Sequence, residues 1–217
     1  MVDVILGMQW GDEGKGKIVD FFAKDYQLVA RFQGGPNAGH TLYIGDKKVV
    51  LHQIPSGIFH ENKINLIGNG VVLDAITLQK ECAAVASFGI DYKKNLYISD
   101  RAHLILPTHR ALDKASELTK GKEKIGSTLK GIGPTYMDKT GRNGLRVGDI
   151  RQTNFKYDYF ALKEKHLQFL KQFPETEFDI AGEESKWFEA IDRINQLHTI
   201  NGEYWLNEML EKNISVL

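Results

Sequence analysis

The stretch GDEGKGKIVD, residues 11–20, decides how the rest of the chain is interpreted. It follows a short β-branched run at residues 2–6, and it precedes apolar residues at helical spacing, among them Ile18 and Phe22. Strand, glycine-rich loop and helix together open a mononucleotide-binding unit, in which loop N–H groups and the positive helix N-terminus bind phosphate. A solvated turn rich in glycine and charge is the alternative. The position between a strand and a helix favours phosphate binding.

One residue of this phosphate loop (residues 11–17) is unusual. The spacing is that of G-x-x-x-x-G-K, but Ile18 stands where a Walker loop has the hydroxyl that holds magnesium. Asp12 and Glu13 are the residues of the loop that could ligate the ion, which prefers carboxylate and phosphate oxygens. Because Lys15 and Lys17 favour an ionised carboxylate, Asp12 could also accept a proton from a substrate.

A second glycine-rich stretch, GGPNAGHT, forms what we call the second loop (residues 34–41). The Asn37 amide suits the edge of a nucleobase or a phosphate, and Gly39 would let a backbone carbonyl approach a metal or ligand closely. His40 is a candidate catalytic residue, with a structural histidine as the alternative. We expect structural roles for the other six histidines: His52, His60, His103, His109, His166 and His198.

The third loop, residues 120–146, is rich in glycine and lysine and has little apolar periodicity. It carries seven basic and two acidic side chains, a local net charge of +5. Three interpretations compete: a solvated surface loop, a nucleic-acid patch and a monophosphate site. Nucleic-acid surfaces usually interleave bases with stacking aromatics, and this loop offers only Tyr136. A small phosphorylated ligand near Ser127 and Thr128 is therefore the favoured interpretation.

The composition of the 217 residues is that of an ordinary globular protein, with 42% hydrophobic and 26% charged side chains. The 28 basic and 28 acidic side chains cancel, so no overall attraction to nucleic acid or membrane is expected. Cys82 is the single cysteine, which favours a reducing compartment. The first residues lack the basic start of a signal peptide. We expect a soluble, cytoplasmic protein that binds neither nucleic acid nor membrane.

The order of predicted elements indicates an α/β fold: a mixed, mostly parallel sheet with flanking helices, a P-loop-like nucleotide-binding unit and a helical insertion in the C-terminal third. We expect residues 1–150 to form the nucleotide-binding part, 151–213 a mainly helical segment and 214–217 the start of an interrupted strand. The predicted strands are residues 2–6, 28–32, 41–44, 49–53, 65–67 (ending at the glycines 68 and 70) and 95–98. The predicted helices are residues 75–88, 110–118, 155–173, 183–197 and 203–213.

Six motifs in this order resemble the adenylosuccinate synthetase family, whose members join L-aspartate to IMP using GTP. They are WGDEGKGKIVD, RFQGGPNAGHT, LHQIPSGI, IGNGVVLD, IGSTLKGIGPTY and GLRVGD. The resemblance is specific from residue 3 to about 150 and looser beyond. It implies a Mg²⁺ ion held by Asp12 and by the backbone carbonyl of Gly39, with Asp12 also acting as the base and His40 as the catalytic histidine.

The resemblance also implies the residues that bind the substrates. For GTP they are Gly11, Asp12, Glu13, Gly14, Lys15, Gly16, Lys17, Gly39, His40 and Thr41. For IMP they are Asp12, Glu13, Gly14, Lys15, Asn37, Ala38, Gly39, His40, Thr128 and Arg142. The arginine matching Arg142 reaches the IMP phosphate of the other subunit, which implies a homodimer.

Members of this family are considerably longer than 217 residues. The expectation is therefore that the chain is the N-terminal part of the enzyme, without the loops that hold aspartate and read guanine, and is inactive alone. A truncated sheet would expose strand edges and apolar surface. Two rivals remain: a nucleotide-binding module without chemistry, and another small-molecule P-loop kinase.

Overall fold

The computed structural model describes residues 1–8, 13–120, 126–174 and 178–217. These residues form a mainly parallel sheet with flanking helices and a two-stranded hairpin. The predicted α/β class is therefore confirmed. Within the described ranges, every helix is too short or too polar to cross a bilayer.

Strands and helices alternate over much of the chain. The strands are β1 (Leu28–Gly34), β2 (His40–Ile44), β3 (Lys47–Leu51), β4 (Ile64–Leu73), β5 (Leu96–Ser99), β6 (His103–Leu104) and β7 (His198–Ile200). The helices are α1 (Lys15–Ala23), α2 (Ala75–Ala86), α3 (Pro107–Thr119), α4 (Ile132–Thr140), α5 (Phe155–Leu170), α6 (Ile180–Ile194) and α7 (Gly202–Glu211). The predicted cap of α2 is confirmed, since the Asp74 side chain accepts from the Thr77 N–H.

The sheet has the strand order β1-β4-β5-β7, with β6 also paired to β4. All these pairings are parallel, and Leu28 lies opposite Ile64 in β1 and β4. Helix α2 lies in the crossover from β4 to β5, and helices α3 to α6 lie in the crossover from β5 to β7, whereas the crossover from β1 to β4 contains the β2–β3 hairpin. Strands β2 and β3 form the predicted antiparallel hairpin, in which His40 lies opposite Leu51.

The sheet is covered on both faces. The larger core cluster joins the hairpin, strands β4 and β5, and helices α2, α5 and α6. The smaller cluster packs α7, through Trp205 among others, on β1 and β4. The neighbouring residues Leu66 and Ile67 of β4 belong to different clusters, because successive side chains of a strand point to opposite faces.

The prediction of a full strand at residues 2–6 is wrong. Val2 pairs in parallel with Val216, and the Asp3 N–H donates to the Val216 carbonyl at 2.9 Å. Val4 and Leu6 are exposed. The neighbouring segment is residues 215–217, and within the described residues its pairing with the N-terminal segment ends at Asp3. That segment also pairs with the start of β1 through Leu28.

The strand predicted at residues 65–67 was expected to end at the glycines 68 and 70. This end is also wrong, because the observed strand β4 continues to Leu73. The glycines mark a close approach of two backbones. A Cβ on Gly68 would lie 3.1 Å from the Arg31 carbonyl, and one on Gly70 would collide with the Phe32 carbonyl. This contact accompanies a register shift between Arg31 and Gln33, and glycine inside a strand often has this function.

Candidate functional site

The described part of the phosphate loop leads directly into α1. Gly14 is the N-cap, with φ of 85°, a left-handed conformation that glycine adopts without strain. The Lys17 N–H donates to the Gly14 carbonyl at 3.0 Å, and Lys15 pairs with Glu13 at 2.8 Å. Gly11 and Asp12 lie outside the described residues. The loop therefore presents the positive end of α1 and two lysines, as phosphate binding requires.

The second loop connects β1 to β2 and lies against the phosphate loop. A cavity of about 330 Å³ separates them. It is lined by Lys15, Gly16, Asn37, Ala38 and His40, together with residues of β1 such as Arg31 and with Ile54, Pro55 and Ser56. The structure thus brings together side chains that are more than twenty residues apart in sequence.

Gly16 and His40 make the tightest contact between the two loops. A Cβ on Gly16 would lie 2.5 Å from the His40 Cβ and 2.6 Å from its Cγ. Gly39 is packed as closely, since a Cβ there would lie 2.8 Å from Val50 Cγ1. Both glycines therefore allow a backbone approach that any side chain would block. Thr41 follows in β2, opposite Val50.

The electrostatic environment keeps His40 neutral. Burial, together with the positive charge of Arg31 and the neighbouring His52 and Lys15, lowers the pKa of His40 to about 4. At neutral pH the ring is therefore an uncharged imidazole with one N–H donor and one acceptor nitrogen.

Arg31 was not anticipated from the sequence, yet it holds the second loop in place. Its Nη2 donates to the Gly35 carbonyl at 2.7 Å, and its Nη1 donates to the His52 carbonyl. Burial lowers the pKa of this guanidinium. An arginine within an apolar strand was the available signal, because a charge that faces a sheet interior needs specific partners.

Glu81 of α2 fixes the segment that follows β3. It is 4% exposed and accepts hydrogen bonds from the backbone N–H groups of His52, Gln53 and Ile54. Burial raises the pKa of Glu81 to about 7, although these hydrogen bonds and Arg31 act in the opposite direction. The segment supports the phosphate loop, since the Ser56 hydroxyl donates to the Gly16 carbonyl at 3.2 Å.

Two candidate residues lie away from this cavity. Thr128 lines a separate cavity of about 390 Å³ with Arg110, Lys114 and Lys130. Arg142 follows α4, is exposed and has φ of 59°. Neither residue lines the cavity between the phosphate and second loops.

Residues 126–131 of the third loop are hydrogen-bonded to carboxylates of α3. The Ser127 hydroxyl donates to Asp113 at 2.7 Å, and the Gly131 N–H donates to the same carboxylate at 2.9 Å. The Gly126 N–H donates to Glu117 at 3.0 Å. The anticipated phosphate cradle at Ser127 therefore has its donors directed at acidic side chains in this conformation.

A buried cluster of His109, Asp138 and His166 has ligand atoms within 4.8 Å of one another, as a metal site would. The hydrogen bonding identifies it instead as a structural network. The Leu106 N–H donates to His109 Nδ1 at 3.0 Å, which leaves the ring proton on Nε2, 2.9 Å from Asp138. The Thr108 hydroxyl lies 2.7 Å from His166 Nδ1, and His166 Nε2 lies 2.8 Å from the same carboxylate oxygen.

The charge of this cluster is concentrated on Asp138. Burial alone would raise the pKa of Asp138, but the hydrogen bonds from His109 and His166 outweigh it and hold that pKa well below its usual range. Burial lowers the pKa of His109. One oxygen of the Asp138 carboxylate accepts from both imidazole rings, which agrees with the structural roles expected for both histidines.

The sequence model of the adenylosuccinate synthetase family matches residues 4–217. The chain belongs to this family. The adenylosuccinate synthetases of Flavobacterium psychrophilum and Flavobacterium johnsoniae are 56% and 55% identical to it over 217 residues. The match covers 100% of the chain and 51% of each of these relatives. The chain thus spans about half the length of the curated relatives it matches.

Solved structures of the adenylosuccinate synthetase fold agree with this assignment. The fully ligated enzyme of Plasmodium falciparum superposes with a TM-score of 0.84 at 36% identity, over 98% of this chain and 49% of that one. The cyanophage S-2L succinoaminodeoxyadenylate synthetase, bound to dGMP and dATP, superposes with a TM-score of 0.53 at 27% identity, over 68% of this chain and 41% of that one. The family fold therefore extends through the helices after residue 150.

Proposed function

We propose that the protein is an adenylosuccinate synthetase, a GTP-dependent ligase of purine (AMP) biosynthesis that forms adenylosuccinate from IMP and L-aspartate. The observation that carries the proposal is the family match over residues 4–217, together with a cavity between the two glycine-rich loops that carry its motifs. Because the chain spans about half of its relatives, both the activity and the substrates are proposals.

The proposed reaction has two steps. Asp12 removes the N1 proton of IMP, which places negative charge on the C6 oxygen, and this oxygen attacks the γ-phosphorus of GTP as GDP leaves. The amine of aspartate then attacks C6 of 6-phosphoryl-IMP, and inorganic phosphate leaves. The carbonyl oxygen is a weak nucleophile and a poor leaving group. Removal of the proton makes it a better nucleophile, and phosphorylation makes it a better leaving group.

The GTP phosphates are proposed to bind to the loop from Gly11 to Lys17 and to residues 39–41, and IMP to Asn37, Ala38 and Thr128. The described geometry supports the first assignment, because Lys15, Gly16 and His40 line one cavity. For Thr128 to bind IMP in the same site, the segment around Thr128 would have to break its hydrogen bonds to the carboxylates of α3 and bind the ligand instead.

A magnesium ion fits the donor set. Asp12 offers a carboxylate, and Gly39 is an exposed backbone position next to His40, which packs on the phosphate loop. Hard oxygen donors of this kind are the usual ligands of Mg²⁺, and the bound ion would neutralise phosphate charge. Asp12 and the Gly39 carbonyl would hold it.

His40 is proposed to act as a neutral hydrogen-bond donor. With a pKa of about 4, the imidazole can donate its N–H to the purine oxygen or to the transferring phosphate as negative charge develops there. The nearby Arg31 contributes positive potential to the same cavity.

The proposal extends to the assembly and to the compartment. Arg142 would reach the IMP phosphate of a second copy, which makes the functional unit a homodimer. Arg142 is exposed in the described chain, as such a contact requires. A cytoplasmic location is proposed because the substrates are nucleotides, and the single cysteine, Cys82, is buried and free.

The second candidate function is a nucleotide-binding module without chemistry, which the coverage of about half of the relatives keeps open. The deciding experiment titrates the chain with GDP, Mg²⁺ and IMP, and compares Asn37→Ala and Thr128→Ala with the exposed control Thr153→Ala. We expect the first two changes to weaken IMP binding and to leave GDP binding intact. Binding that ignores IMP would favour another P-loop kinase. Formation of adenylosuccinate from GTP, IMP and aspartate by the full-length protein separates a ligase from a binding module, because the 217-residue chain alone is expected to be inactive.

A further inference from the structure

Helix α4 packs on helices α3 and α5 on one side and on the second loop on the other. Ile132 and Tyr136 are four residues apart and therefore lie on one face of the helix. This face meets the start of the second loop, where a Cβ on Gly35 would collide with the Ile132 side chain. Asp138, on another face, is the acceptor for both histidines of the buried cluster.

The Tyr136 hydroxyl is hydrogen-bonded to the backbone of two neighbouring strands. It accepts from the Gly34 N–H at 3.1 Å and donates to the Gly70 carbonyl at 2.7 Å. Gly34 is the last residue of β1 and the first of the second loop, with φ of 89°. The hydroxyl thus fixes the backbone at the point where the chain leaves the sheet.

Hydrogen bonds on another face of α4 fix the position of Tyr136. Asp138 accepts from His109 of α3 and His166 of α5 at 2.9 and 2.8 Å, and both hydrogen bonds are buried. A helix anchored in this way cannot turn without breaking both bonds. The phenol therefore projects from a rigid support onto a loop whose glycines offer little internal restraint.

We propose that Tyr136 is a positioning residue of the nucleotide site: its hydroxyl sets the course of the second loop and so holds Asn37 and His40 against the phosphate loop. The proposal rests on the proposed function of these loops as the nucleotide site.

The test compares the 217-residue chain with the variant Tyr136→Phe and with the control variant Tyr157→Phe. The control removes the same hydroxyl group from a tyrosine that is exposed. Amide hydrogen exchange measures the backbone of residues 33–40. Thermal melting reports whether each variant is folded. Titration with Mg·GDP and IMP measures ligand binding.

In Tyr136→Phe we expect exchange of the Gly34 amide to become roughly fivefold faster, the effect of losing one hydrogen bond. The acceleration should be confined to the second loop. Nucleotide binding should weaken by a similar factor. Tyr157→Phe should change none of these.

Two results would overturn the proposal: exchange of residues 33–40 that is identical in the two variants, or faster exchange spread evenly over the whole chain. The second result would mean that the hydroxyl supports general stability only. If the parent chain binds neither GDP nor IMP while the local changes occur as expected, the proposed function fails and the positioning role stands.

Discussion

Replacing Gly16 with alanine sets two effects against each other. At the second position of α1, alanine favours the helix over glycine by up to about 1 kcal/mol. The new methyl group, however, would lie 2.5 Å from the His40 Cβ at a buried position. Overpacking of this kind costs about 1–3 kcal/mol, so we predict that Gly16→Ala lowers the free energy of unfolding by about 0–2 kcal/mol.

A double-mutant cycle isolates the steric part of this change. In a His40→Gly background the clashing Cβ is absent, so Gly16→Ala should be neutral or stabilising there. Equilibrium urea unfolding of the four proteins should then give a coupling energy of about 1–3 kcal/mol between positions 16 and 40. The same cost of the alanine in both backgrounds, or a gain in stability with His40 present, would refute the packing described here.

Three further predictions concern buried charges. Because the folded pKa of His40 is lowered to about 4, its contribution to stability is complete above pH 6.5 and is lost as the pH falls from 6.5 towards 4; a His40→Asn variant should lack this loss in pH-dependent unfolding. The raised pKa of Glu81 predicts the opposite sign, with a contribution that is complete below pH 4.5 and lost as the pH rises through about 7. Glu81→Gln should therefore flatten the dependence between pH 4.5 and 7 and cost about 1–3 kcal/mol through its unpaired N–H groups, while the exposed Glu164→Gln should do neither. Asp138→Asn should destabilise the chain by about 3 kcal/mol at pH 7 in urea unfolding, against no change in the exposed Asp192→Asn, because it breaks a buried charged network; equal stability of the two variants would contradict the network.

Most strands and helices were predictable from periodicity and glycine placement, but helix α4 was not. The third loop showed little apolar periodicity because the residues that α4 buries are mainly polar. Asp138 faces two histidines, Thr135 is fully buried, and the Tyr136 hydroxyl donates to a backbone carbonyl. A pattern of polar residues that are satisfied only in the folded state does not differ in sequence from a solvated loop. Gly131, with φ of 77°, is the helix N-cap and was the one local signal.

The candidate site was predictable in part. The glycine-rich loops revealed Lys15, Gly16 and His40, since their residue types have little other use in that pattern. Arg31 and Glu81 were missed because they act through backbone groups that are distant in sequence, and only the pairing of the sheet brings those groups together. Conversely, the cavity that Thr128 lines is separate from that of His40, a separation that no spacing in the sequence indicates.

We propose that the cavity between the two loops binds GTP through a metal held by Asp12. The most direct measurement compares how Mg²⁺ changes the affinity for GTP, followed by amide NMR shifts in residues 13–17 and 39–41, in the parent chain and in Asp12→Asn, with Asp46→Asn in the exposed hairpin turn as the matched control. We expect Mg²⁺ to strengthen binding in the parent chain and in Asp46→Asn, whereas Asp12→Asn should bind the nucleotide equally with and without the ion. Equal strengthening by Mg²⁺ in all three proteins would contradict it.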